Sequence, residues 1–282
     1  MNHLIRLQLT FILTLAVAGI AACGGGGGGG APTGSSTKTG YFIDSAVEGL
    51  EYSSENSSGV TGADGSFKYE DGKPVTFKIG GITLGSVMVS NGRIFPVDLI
   101  SGATDESNPK VTLIAQVLQS LDSDRNPANG ITINDNTRRL ITQSVNLATT
   151  DPTIVTPIFA QLLSTASQGA LSMVSDTDAK THLRSNLIKE YAGTWAGTYK
   201  GGDSGPCQIN ITTTGQLSGT CTSAAVGLFN VTGTVSSSGQ FTQGSGTTGA
   251  VFSGTLSRNG TVSGTWTNSQ YSISGTWSMA KQ

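Results

Sequence analysis

Residues 191–282 are governed by a turn that recurs at fixed spacing. Ile211 to Leu217, Val235 to Phe241 and Leu256 to Val262 each read apolar residue, three polar residues, glycine, polar residue, apolar residue. A three-residue hairpin loop built from a type I turn requires its last residue in the left-handed region, and glycine adopts that conformation without steric cost. Gly215, Gly239 and Gly260 therefore mark three hairpins, and the hairpins set the strand register. With Ile211 opposite Leu217, Cys207 falls opposite Cys221, so the pairing that buries the apolar side chains also brings two thiols to one face. With Leu256 opposite Val262, Gly254 faces Gly264 and Phe252 faces Trp266.

The final strand places Tyr271, Ile273, Gly275, Trp277 and Met279 on one face and Ser272, Ser274, Thr276 and Ser278 on the other, the pattern of a half-buried strand. Counting from Trp195, about eight strands follow in a meander, which predicts an antiparallel up-and-down β-barrel that closes without exposed edges. Gly197, Gly219, Gly233, Gly254, Gly264 and Gly275 share the inward phase, leaving room for Trp195, Trp266 and Trp277 and favouring a packed interior over a pocket. If the glycine hairpins form one end, the other carries the loops from Lys200 to Pro206, Ser223 to Gly227, Thr242 to Gly249 and Thr267 to Gln270. Lys200, Asp203, Gln243 and Asn268 are then the candidate contact residues.

At the other terminus Arg6 precedes the apolar run Leu7 to Ile20, too short for an ordinary membrane-spanning helix, so residues 1–22 read as a signal peptide. The run ends in Ile20, Ala21, Ala22 and Cys23, which resembles the lipobox of bacterial lipoproteins. That resemblance implies cleavage before Cys23, a lipid thioether on its sulfur and acylation of the new amine. With Gly24 rather than aspartate next, it also implies an outer-membrane address, facing the periplasm or the cell surface. Acyl chains contribute about 0.8 kcal/mol per buried methylene, enough to hold the chain on a bilayer. Residues 23–38, with glycine from Gly24 to Gly30, read as a flexible tether, because polyglycine has no apolar surface whose burial would offset its chain entropy.

Residues 39–98 alternate in short strands at Tyr41 to Ile43, Val47 to Tyr52, Ser66 to Tyr69, Val75 to Ile79 and Ile82 to Val89. Turns at Ser58-Gly59, Ala63 to Gly65 and Asp71-Gly72 separate them. The stretch Gly59 to Tyr69 resembles the turn and strand of carboxypeptidase-regulatory-like, transthyretin-type β-sandwiches, and residues 40–85 resemble modules of bacterial surface proteins and adhesins. This implies a small sandwich used for display or spacing. Residues 99–190 change to helical period. One helix opens at Asn108-Pro109 with Val111, Ile114, Val117, Leu118 and Leu121 on one face; a second at Asp151-Pro152 carries Val155, Ile158, Phe159, Leu162 and Leu163. A third runs from about Asp176 to Tyr191. The whole reads as a multi-domain chain, mainly β with a helical middle.

Between the first two helices, Asp122, Asp124 and Asn126 fall at positions one, three and five, as a calcium loop begins. Pro127 occupies the place of the usual glycine at position six, and Ile133 that of the closing glutamate. The alternatives are a calcium-braced loop with those three ligands and a helix-ending loop with capping aspartates.

Chemistry is constrained by histidine: His3 lies in the leader, which leaves His182 as the one imidazole of the processed chain. A zinc site of the Cys/His type lacks ligands, and a Ser-His-Asp triad would have to use His182, in a segment that reads as plain helix. With 16 Lys and Arg against 18 Asp and Glu, none clustered, the chain lacks the basic surface of a nucleic-acid binder. The leading expectation is a lipid-anchored envelope protein with a non-enzymatic binding, adhesin-like or accessory role toward an envelope protein or glycan. The alternatives are a carboxylate-dependent hydrolase of envelope or extracellular polysaccharide, which needs two acids, and a structural envelope component. Cys23→Ser should move the protein from the membrane pellet to the soluble fraction; retention of the variant in washed membranes would exclude lipid on Cys23 as the anchor.

Overall fold

The computed structural model describes residues 36–166 and 171–282. The expected leader, Cys23 and the tether up to residue 35 lie outside them. From Thr37 the chain forms β1 (Thr37–Phe42), β2 (Val47–Glu48), β3 (Glu51–Ser53), β4 (Ser58–Val60), β5 (Ser66–Glu70), β6 (Pro74–Ile79), β7 (Ile82–Met88) and β8 (Arg93–Ile94). The first strand thus begins inside the segment expected to be tether, because Thr37 and Lys38 pair with Glu70 and Tyr69. β1 lies between β5 and β8, while β6 lies between β7 and β3 in a second sheet with β4 at its edge. The sheets meet through aromatic edges: Phe77 of β6 contacts Phe42 of β1 and Phe67 of β5 at centroid separations of 4.8 and 5.0 Å. The turn before β5 uses Gly65 at φ 79°, and its Asp64 carboxylate accepts from the Ser66 amide at 3.0 Å.

There follow α1 (Pro109–Ser120), β9 (Ile131–Thr132), α2 (Asp135–Leu140), β10 (Val145–Asn146), α3 (Pro152–Ala166) and α4 (Asp176–Lys189). The helix starts obey capping chemistry: Asn108 accepts from the Lys110 amide, Asp151 from Thr153 and Ser175 from Asp178. α1 is buried on nearly every side, with Leu113 as inaccessible as the expected stripe of Val111, Ile114, Val117 and Leu118. It sits in one continuous hydrophobic cluster with Val47, Phe77 and Ile79 of the sheets and Leu183 of α4. The expected division at 98/99 is therefore not a boundary in the packing. Nor is the 99–190 segment purely helical, since β9 pairs with β2 and β10 with β7. Two-residue strands carry no periodicity for a sequence pattern to reveal. Ser35–Gln282 forms a single compact unit.

The C-terminal part is mainly β and matches its expected architecture. Strands β11 (Gly193–Gly201), β12 (Gly205–Ile211), β13 (Gln216–Ser223), β14 (Gly227–Thr234), β15 (Gln240–Gly246), β16 (Val251–Leu256), β17 (Thr261–Asn268) and β18 (Ile273–Lys281) form an antiparallel meander. Its ends pair, from Trp195 against Lys281 to Gly201 against Gly275, so the sheet closes on itself. The registers Ile211–Leu217, Cys207–Cys221, Leu256–Val262, Gly254–Gly264 and Phe252–Trp266 all occur, and Cys207 is bonded to Cys221. Gly215, Gly239 and Gly260 have φ of 79, 78 and 85°. Trp277 lies across Gly254 and Gly264: a Cβ on Gly264 would stand 2.7 Å from its Nε1 and 1.9 Å from the Ser253 carbonyl. That indole nitrogen bonds to Ser253 and Thr265 carbonyls at 3.0 and 3.1 Å.

The glycine-hairpin end of the barrel docks on the rest of the chain. Arg258, in the hairpin loop before β17, forks onto the Asp98 carboxylate and stands 5.0 Å from the Phe95 ring centroid. Lys281 of the last strand donates to the Glu190 carbonyl at the end of α4 at 2.9 Å, and Arg93 in turn grips the Glu190 carboxylate through two nitrogens at 2.7 and 2.8 Å. With Arg258 and Asp98 side chains only 21% and 19% exposed, removing the guanidinium leaves a half-buried acid without its partner. Arg258→Ala should therefore cost about 2 kcal/mol of unfolding free energy, and Arg258→Lys, which cannot form the fork, should recover only part. Denaturant unfolding followed by tryptophan fluorescence measures this; an unchanged midpoint would show that the pair adds nothing.

Candidate functional site

The barrel interior is not uniform. Near its middle, Ile209, Val231, Phe241, Trp277 and Met279 leave a void of about 10 Å³, too little for more than a single water. Below it Trp195 is fully buried, its Nε1 bonded to the Tyr191 carbonyl at 2.9 Å. Toward the end opposite the glycine hairpins, the interior opens into a cavity of about 300 Å³. The expectation of a packed interior thus holds for one half of the barrel and fails for the other. Tyr199, Phe229, Phe252 and Trp266 explain the difference. They pack edge-to-face or stacked at centroid separations of 5.5 to 6.5 Å, and rings locked on one another form a wall rather than collapsing into the space.

The strand alternation aims these four rings inward, from β11, β14, β16 and β17. Trp266 fits because Gly275 faces it: a Cβ there would be 2.6 Å from the indole nitrogen, which donates to the Lys200 carbonyl at 3.1 Å. The rim comes from the loops between strands. Val226 and Tyr271, both 59% exposed, stand at the opening, while Ala250 is buried in the wall.

Of the four candidate contact residues, Asp203 and Asn268 line this cavity. Lys200 lends its carbonyl to Trp266, and the Gln243 side chain lies outside the described residues. The Asp203 carboxylate accepts from the Tyr199 hydroxyl at 2.9 Å and the Ser204 amide at 2.8 Å. Burial works against its ionisation, yet hydrogen bonds from Ser223, Ser204 and Tyr199 together hold its carboxyl below the usual range. The Tyr199 phenol is pushed up to about 12, first by burial and then by Asp203. Asn268 donates to the Thr248 carbonyl at 2.9 Å and accepts from the Gln270 amide at 3.1 Å, tying two rim loops together.

The calcium-like segment folds on itself. Asp124 accepts from the Asn126 amide and the Asn129 side chain, both at 2.9 Å, while Asp122 accepts from the Thr132 amide at 2.9 Å. Asn126 contributes its backbone rather than its side chain. Burial raises the Asp122 carboxyl, aided by the Asp124 charge beside it. The two acids come together, and among the described residues no third His, Cys, Asp or Glu joins them. The geometry is that of a loop closed by its aspartates.

A second polar cluster escapes sequence reasoning because it joins residues far apart in the chain. The turn between Ile43 and Ala46 presents Asp44, fully buried, and Ser45 at φ 56° to α4. Ser45 Oγ lies 3.2 Å and Asp44 Oδ1 3.7 Å from the same nitrogen, His182 Nε2, which Asn186 also approaches at 3.0 Å. In a Ser-His-Asp triad the acid holds the opposite ring nitrogen from the nucleophile. Here both crowd one nitrogen, so the group latches the turn to the helix. Burial lowers the His182 pKa and pushes the Asp44 carboxyl up to about 7, although Gln119 and Asn186 oppose the latter.

Asp44 ionises near 3.8 when unfolded, so its carboxyl is neutral in both states at lower pH and carries no penalty there. Between about 3.8 and about 7 the unfolded chain gains by ionising while the buried acid stays neutral, so stability is lost across that window and the loss is complete above it. His182 acts in the opposite sense, losing stability as pH falls below its ordinary value, so the informative quantity is a difference between variants. Asp44→Asn should match the natural protein below about pH 3.8, become increasingly more stable than it as pH rises toward about 7, and keep a constant advantage above that. A difference that does not change with pH would show that Asp44 ionises alike in both states.

The chain matches no protein-family model, no curated protein and no solved structure.

Proposed function

We propose that this is a lipid-anchored envelope protein with a non-enzymatic binding role, its ligand entering the open mouth of the barrel. The observation that carries the reading is the cavity of about 300 Å³ walled by Tyr199, Phe229, Phe252 and Trp266. Small-molecule sites are concave, largely apolar and furnished with a few placed polar groups, and this cavity is at the small end of their range. It lies at the end of the barrel opposite the one fastened by Arg258 and Lys281, which leaves its approach open. The anchor rests on the lipobox-like ending at Cys23, and an exported location accords with the Cys207–Cys221 bond. The sequence resemblance of residues 40–85 to surface-protein modules supports a displaying role for the N-terminal strands.

Hydrolysis of a glycan by paired acids is the competing reading. It requires two carboxyls flanking the scissile bond. Among the described residues lining the cavity, Asp203 is the single carboxylate, and it is already bonded to Tyr199. Binding is therefore the better supported role.

Ala250→Trp places a large ring in the cavity from a position already in its wall. Titration with benzyl alcohol should shift the Trp266 indole resonance and the amides of Phe229 and Phe252 in the natural protein. It should shift none of them in the variant, whose far-ultraviolet dichroism should be unchanged. Shifts that persist after the cavity is filled, or no shifts at all, would overturn the reading.

A further inference from the structure

On the reading that the barrel mouth is a ligand site, we propose that it takes a compact organic cation, an alkylated ammonium seated among the aromatic rings with its charge toward Asp203. Every formal charge and every ring in the lining points the same way. Among the described residues lining the cavity, Asp203 is the only charged side chain, with no Lys, Arg or His. Tyr199, Phe229, Phe252 and Trp266 form its walls and Tyr271 stands at its rim, and aromatic faces carry the negative lobes of their quadrupoles. These four wall residues are 2 to 5% exposed, so a ligand between them would be largely shielded from water, where attraction between cation and ring is strongest.

The hydrogen-bond inventory argues against an anion. The Trp266 indole donates to the Lys200 carbonyl and the Tyr199 hydroxyl to Asp203, so the strongest donors of the wall are committed. The Ser223 oxygen accepts from the Ala225 and Val226 amides, both at 3.0 Å, and supports Asp203 as well. Asn268 is engaged on both its oxygen and its nitrogen. A sugar, with hydroxyls in several directions, would find few free partners in such a lining. A quaternary or tertiary ammonium needs none, only apolar contact for its carbons and a negative field for its charge. The small volume limits the group to a compact head with a short substituent.

The test uses three molecules of nearly one shape: (2-hydroxyethyl)trimethylammonium, its neutral isostere 3,3-dimethylbutan-1-ol, and the anion 3,3-dimethylbutanoate. Binding to the full folded protein is measured by calorimetry and by the Trp266 indole resonance. The cation should bind about tenfold or more tightly than the isostere, and the anion weakest of the three. Asp203→Asn should cut the cation's affinity by about tenfold and leave the isostere's unchanged. Phe229→Leu, which keeps an apolar wall but removes one quadrupole, should weaken the cation selectively, so a misfolded Asp203 variant would not protect the idea. If the isostere or anion binds as well as the cation, and Ala250→Trp still abolishes that binding, the cation assignment falls while the site stands. If none of the three perturbs Trp266, and benzyl alcohol also fails to do so, both fall.

Discussion

Two indoles laid against bare backbone are the constraint on which the C-terminal half depends. A small closed sheet has little room for tryptophan unless the strands opposite lack side chains. Gly254 and Gly264 supply that room for Trp277, and Gly275 for Trp266. The indole nitrogens then reach carbonyl oxygens that the crowded strands present to them, at Ser253, Thr265 and Lys200. Each contact thus satisfies a buried polar group and fills volume, so glycine and tryptophan positions specify one another. Where this arrangement is complete the barrel is solid. Where the wall is made of rings packed on their neighbours it stays open.

The parts of this fold that could be read from the sequence are those with short-range rules. Hairpin glycines fix register through local backbone geometry, and from Gly215 the pairing of Cys207 with Cys221 follows by counting. Capping residues likewise mark helix starts, as at Asn108 and Ser175. What could not be read depends on distant segments meeting. β9 and β10 are two residues each and become strands because β2 and β7 offer them free edges. Asp44 and His182 are separated by 138 positions, and neither has a local pattern that announces the other. The inward direction of Tyr199, Phe229, Phe252 and Trp266 was legible from alternation, but whether inward rings fill a space or surround one depends on rotamers and on ring-to-ring contact.

The N-terminal strands and the helices act as one body because α1 is surrounded by both. A helix with Leu113, Ile114 and Leu118 all inaccessible cannot be stable in water without the sheets, and the sheets lose a large apolar surface without it. The barrel has its own core, but it is fastened by directional contacts at one end, chiefly the guanidinium fork of Arg258 on Asp98 and the Lys281 ammonium on the Glu190 carbonyl. Contacts of this kind fix orientation as well as adding stability. They determine which end of the barrel is hidden and which is presented.

The plug formed by Trp195 and Trp277 has a kinetic meaning as well. A barrel stopped at its waist cannot serve as a conduit, so whatever enters past Val226 and Tyr271 must leave by the same opening. Residence time is then set by the depth of the well and by the motion of two rim side chains, with no conformational relay to the far end. On the proposed binding role, such a blind vessel would sample its surroundings and release what it held back to the same side.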